Sequence, residues 1–119
     1  MAQADATGIA VRPRNGDVQM KWLWTWGGNS FGYRDGDDLW THDGRHVGRF
    51  QGDQVFDRHG RYLGELMNDD RLIRRKSISI RGCSFTPYAR RAGYARYANY
   101  AGYAMYAGYE DFPKPEDIS

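Results

Sequence analysis

The phrase LWTHDGRHVGRF at residues 39–50 is one of three variants of a single pattern in this chain. LWTWGGNSFGYR stands sixteen residues earlier, at 23–34, and VFDRHGRYLGEL sixteen later, at 55–66. At that offset Leu23, Leu39 and Val55 share a column, followed by Trp24, Trp40 and Phe56. Gly28, Gly44 and Gly60 form the next column, then Phe31, Val47 and Leu63, then Gly32, Gly48 and Gly64. Short units that bury no face alone gain a core by packing on copies of themselves.

Each unit reads as a β-hairpin. Its flanks are rich in β-branched and aromatic residues, which suit strands. Gly28, Gly44 and Gly60 supply the positive φ of a tight turn. The joints RDGDD, QGD and MNDD form a second set of turns. The sequence therefore predicts a mainly β fold of four sequential hairpins, over 19–35, 37–51, 53–67 and 70–85. The fourth departs most, since its turn near 75–77 has no glycine. Closure of the hairpins on themselves would remove exposed sheet edges. A strand glycine marks a bulge or a close backbone approach. Gly32, Gly48 and Gly64 are accordingly expected to carry the ring of Trp24, Trp40 or Phe56 from a neighbouring unit.

After Phe85 the chain changes character. Tyrosine recurs every third residue at 94, 97, 100, 103, 106 and 109, with alanine after all but the last. Thr86 and Pro87 suit a helix N-cap and first turn, and alanine favours a helix over 87–108. Gly93, Gly102 and Gly108 oppose it, and a three-residue-per-turn backbone would instead align the rings on one face. Both states stay open, with the helix preferred. The expected division is an arm over 1–17, the hairpins over 18–85, a tyrosine-rich segment over 86–112 packed on them, and a tail over 113–119.

The phrases SFGYRDGDDLWTHDGRHVGRF and HGRYLGEL, followed by YARYANYAGYAMYAGYEDF, resemble the bacterial 4-fold beta flower family. The resemblance spans residues 22–112. It implies hairpins set like petals about a pseudo-fourfold axis, and it brings no catalytic residues with it.

The net charge is only +2, but 71–109 carries eight basic residues and no acid. Arginine neutralises phosphates and tyrosine faces stack on unpaired bases. Arg74, Arg75, Lys76, Arg90, Arg91 and Arg96 are thus the candidate polyanion-binding set. The plainer expectation is that these arginines lie over aromatic rings or meet the acidic turns. Tyr94, Tyr97, Tyr100, Tyr103 and Tyr106 are the candidate interaction aromatics, because a large exposed aromatic patch calls for a partner.

Little else points to chemistry. His42, Asp43, His46 and His59 lie near turns, but Trp26, Ser30 and Tyr62 stand at matching positions in other units, so no ligand set repeats and no metal is expected. The aspartates lack calcium-loop spacing. Cys83 and Ser84 have no recognisable base beside them. As the lone cysteine, Cys83 is expected to be a small buried hydrophobe in a reducing, cytoplasmic setting. The start lacks the apolar stretch of a signal peptide, and no run is long enough to cross a membrane. The expected protein is a cofactor-free structural or interaction module, not an enzyme. Its partner is a second copy or another protein, with nucleic acid as the alternative.

Overall fold

A computed structural model describes residues 20–78 and 80–118. The expected arm over 1–17 lies outside them. Three hairpins lead: β1 (Met20–Thr25) with β2 (Ser30–Asp35), β3 (Asp38–Thr41) with β4 (His46–Gln51), and β5 (Gln54–Phe56) with β6 (Tyr62–Met67). β7 (Arg71–Arg75) follows, and β8 (Tyr109–Asp111) lies near the end of the chain. Neighbours from β1 to β7 pair antiparallel. Seven alternating strands leave the first and last running the same way, so closure can only be parallel. Trp24 pairs with Arg71 and Thr25 with Leu72, and the sheet becomes a seven-stranded barrel.

The hairpins share a register down to their defects. Leu23 opposes Gly32, Leu39 opposes Gly48 and Val55 opposes Gly64, and each pair is followed by a bulge. The extra residue of the bulge is Phe31, Val47 or Leu63, and all three belong to the core. The joints also repeat. Gly36 (φ 63°), Gly52 (φ 65°) and Asn68 (φ 54°) all take the left-handed conformation that glycine, and next asparagine, tolerates.

The bulge explains the strand glycines and corrects the expected ring contacts. A bulge sets two residues against one partner. The first fills the core, and space for a second side chain is gone. A Cβ on Gly48 would lie 2.8 Å from Val55 Cγ2 and 3.4 Å from Leu39 Cβ, both core residues. On Gly32 it would strike the backbone of Trp40 and Thr41, and only on Gly64 would it meet a ring, that of Phe112. Trp24, Trp40 and Phe56 do not lie on these glycines, because strand alternation turns them to the outer face.

The fourth hairpin over 70–85 is also corrected. Among the described residues, β7 pairs with none of those over 76–85. Its second half pairs with β8, Ile73 opposite Asp111 and Arg75 opposite Tyr109. Without a glycine at 75–77 the turn does not return the chain, and the Lys76 N–H donates to the Gly108 carbonyl. The fourth petal is thus assembled from two distant segments. Phe112, which follows β8, enters the core edge-to-face with Phe31 at 5.3 Å. Ile118 joins it there, and Arg45 clamps this end by donating to the Pro115 and Ile118 carbonyls.

The interior is aliphatic. Leu23, Leu39, Val55 and Leu72, all fully buried, contribute one large residue per petal. The outer face is aromatic, with Trp24, Trp26, Tyr33, Trp40 and Phe56. These outer rings are nonetheless buried, so something covers them. Each large ring taken from water stabilises the fold by roughly 1.5–3 kcal/mol.

Candidate interaction surface

The cover is the stretch 80–108, a strap with neither helix nor regular strand that runs around the petals. The preferred helix over 87–108 does not form. A helix would satisfy its own backbone and turn a three-residue period around its cylinder. Here the backbone donors go to the hairpin turns, and the tyrosines stay on one side.

The hydrogen bonds have a period of their own. Gly82 and Phe85 donate N–H to the carbonyls of Gly60 and Arg58 in the third petal. Arg91 and Tyr94 donate to Gly44 and His42 in the second, and Tyr100 and Tyr103 to Gly28 and Trp26 in the first. Nine strap residues thus match sixteen hairpin residues, run in the opposite order. The next step reaches Tyr109, where the strap becomes β8 of the fourth petal. The turn glycines serve twice. Gly28, Gly44 and Gly60 have φ of 96°, 92° and 82°, and a Cβ there would collide with the carbonyls of Tyr100, Arg91 and Gly82.

Strap side chains close over the outer rings in the same order. Tyr100 stacks on Trp24 at 4.0 Å, the Arg91 guanidinium lies 3.8 Å above Trp40, and a Cβ on Gly82 would touch the Phe56 ring. Tyr88 stacks on Trp40, and one period later Tyr97 on Trp24. The indole N–H groups of Trp24 and Trp26 donate to the Ala98 and Ala104 carbonyls. Alanine is small enough to let its backbone come that close.

All five candidate interaction tyrosines lie in this strap. Tyr94, Tyr97, Tyr100, Tyr103 and Tyr106 are 46–52% exposed, and Tyr88 reaches 57%. One side of each ring meets Trp22, Trp24, Trp26, Tyr33 or Trp40, and the other faces out. Residues 97–109 include no charged residue, so this half of the strap is an uncharged, aromatic ridge.

Five of the six basic candidates are engaged within the chain. Arg75 meets Glu65 at 2.6 Å, Arg90 meets Asp43 at 2.8 Å, Arg91 meets Asp35 at 2.9 Å and Arg74 meets Glu110 at 3.5 Å. Arg96 donates to the Ser30 carbonyl, and Lys76 is exposed. Sequence reasoning missed Arg71. Its buried guanidinium donates to the Trp26 and Ala101 carbonyls and lies 4.2 Å from the Tyr103 ring. It pins β7, the first turn and the strap together. Cys83, expected inside, is exposed. Its stretch crosses the third petal through Gly82, whose closeness to Phe56 leaves no room for side chains beneath.

The other candidate residues are placed as follows. His42 Nδ1 is 3.2 Å from the Tyr94 carbonyl, His59 sits on a turn held by Asp57, and His46 is buried beneath the strap. Among the described residues no three potential metal ligands come together. A cleft of about 510 Å³ opens beside the strap. Two of its polar groups are engaged with backbone: Asp111 accepts the Gly27 N–H, and Arg96 donates to the Ser30 carbonyl. Among the described residues no helix is long and apolar enough to cross a membrane.

A family model described as the 4-fold beta flower protein matches residues 10–104. No curated protein and no solved structure matches the chain.

Proposed function

Since the chain belongs to the 4-fold beta flower protein family, whose name implies no chemistry, we propose that it is a non-enzymatic structural module that associates with itself through the strap. One observation carries this reading: the exposed tyrosine ridge over 97–109 has no charge. In a two-fold contact each patch meets its own copy, so a patch with net charge would face one of the same sign. A neutral ridge meets no such penalty. Tyrosine offers a broad amphipathic face with few rotatable bonds, and alanine and glycine between the rings allow close approach.

The alternative is a module that binds nucleic acid or another polyanion through Arg74, Arg75, Lys76, Arg90, Arg91 and Arg96. Ion pairs at four of the six weigh against it, because each must be broken or shared before a phosphate is held. Light scattering across a concentration series tests the preferred reading. The wild type is expected to dimerise. Met105→Glu, at an exposed ridge position, sets like charges against each other and should return it to monomer. A wild type that stays monomeric at millimolar concentration ends the proposal. Steep, salt-sensitive binding of a single-stranded oligonucleotide would favour the alternative.

A further inference from the structure

The strap's backbone N–H groups that anchor it on the petals donate mostly to backbone carbonyls, which have no protonation step in the ordinary pH range. One does not. The Tyr88 N–H donates 3.0 Å to Nδ1 of His46. The His46 side chain is 0% exposed, and its Nε2 lies 2.9 Å from Asp38 Oδ1. With Nδ1 accepting, the ring proton sits on Nε2 and is donated to the carboxylate. The imidazole packs against Trp40 at 5.0 Å and against the strap's Tyr88 and Phe85 at 5.0 and 4.9 Å. Both ring nitrogens are engaged.

We propose that His46 is an acid-sensitive latch: a proton on Nδ1 expels the Tyr88 N–H and frees this part of the strap from the second petal. The imidazolium carries N–H at both nitrogens and accepts nothing. Nε2 keeps its bond to Asp38, now as an ion pair, while Nδ1–H and Tyr88 N–H point at each other. A buried donor left without an acceptor is destabilising. The ring rests on Trp40 and stays tied to Asp38, both on β3, whereas Tyr88 and Phe85 belong to the strap, so the strap is the part that moves.

The surrounding charges set when this happens. Burial is the largest influence and favours the neutral ring, which lowers the His46 pKa below its ordinary 6.5. Asp38 on β3 opposes this by attracting the proton, and Arg49 on β4 acts with burial. Arg49 is itself bonded to Asp38 at 3.1 Å, and its guanidinium lies 4.7 Å from the Phe85 ring. Arg45, Arg58 and Arg90 border the recess beside Tyr88 and add positive charge. Neutral His46 therefore holds the strap at pH 7, and the latch opens on the acid side of 6.5. Opening uncovers the Trp40 face beneath Tyr88, so the strap surface itself becomes pH-dependent.

Amide exchange followed by NMR on the wild-type chain tests this. The exchange rate of Tyr88 is divided by that of Tyr94, whose N–H is held by a carbonyl, so the intrinsic pH dependence cancels. Below the pKa read from the His46 ring protons, the ratio should rise by up to about tenfold per pH unit. His46→Asn places a non-titrating oxygen where Nδ1 was and should flatten the ratio. A wild-type ratio that stays constant through the His46 titration overturns the latch, whether or not the variant folds. So does an equal rise in His46→Asn.

Discussion

Gly48→Val sets two opposite effects against each other at one position. Valine is intrinsically the better strand residue, worth up to about 1 kcal/mol, and removing a glycine lowers the entropy of the unfolded chain by about 0.4–1 kcal/mol. Both would raise stability on an open strand. The barrel interior reverses the sign. A Cβ at this site falls 2.8 Å from Val55 Cγ2, 3.3 Å from the Phe56 carbonyl oxygen and 3.4 Å from Leu39 Cβ. Ordinary contact between carbons is about 3.5–4.0 Å, so the nearest atom must retreat by more than half an ångström before the two γ-methyls are added. Val55 has one stiff rotor, and the Phe56 carbonyl is backbone. Neither yields cheaply. Overpacking of this kind costs about 1–3 kcal/mol, and two extra methyls place valine at the upper end, so the net loss should be about 1–2 kcal/mol. For a domain of this size that lowers Tm by roughly 4–16 °C. Scanning calorimetry on the purified variant measures it. An unchanged or raised Tm would show that the bulge leaves room at Gly48 and that the core is packed otherwise.

Other perturbations bear on the strap. Gly44→Ala combines a φ of 92° with a collision on the Arg91 carbonyl, and should cost about 1–3 kcal/mol, read as a lower urea midpoint. Arg71→Met keeps much of the volume but takes the guanidinium from the Ala101 carbonyl and one of two donors from the Trp26 carbonyl; a loss of about 2–4 kcal/mol is expected, and a neutral result would remove Arg71 as the pin. Two acid windows should separate in a stability-versus-pH curve. His46 has a lowered pKa, so the unfolded chain takes the proton first, and stability falls once pH drops below 6.5. The Asp43 carboxyl is held below 3.8, chiefly by the Thr41 hydroxyl, so its contribution persists above 3.8 and is lost only under stronger acid. His46→Asn should abolish the first window and spare the second.

The hairpins were legible because each device in them is local. A glycine at the turn, a leucine or valine facing in and a bulge next to glycine are all contained within one sixteen-residue phrase. The fourth petal was not legible from its own residues, since its second strand is Tyr109–Asp111, far along the chain. Nothing around Ile78 and Ile80 announces that they yield their place. The strap was misread because alanine propensity describes an isolated helix, whereas here open turn carbonyls compete for the same N–H groups. A signal was present all the same. Gly93 and Gly102 stand nine residues apart, and each lies where a side chain would crowd a hairpin turn, at Asp43 and at Gly27. Their purpose is close approach and not helix breaking. Arg71 was hidden among other arginines, because only closure of β1 on β7 makes it an interior residue.

The nine-to-sixteen match between strap and petals underlies the aromatic cover, the ridge it presents and the latch beneath it. Residue-resolved amide exchange at neutral pH tests that match most directly. Protection should appear in pairs nine residues apart, at Gly82 and Phe85, Arg91 and Tyr94, and Tyr100 and Tyr103. Ala92, Ala95, Ala101 and Ala104, between and beside them, should exchange fast. Uniform protection across 87–108 would mean a helix, and uniform lack of it would mean that the strap does not hold the petals; either result contradicts the account.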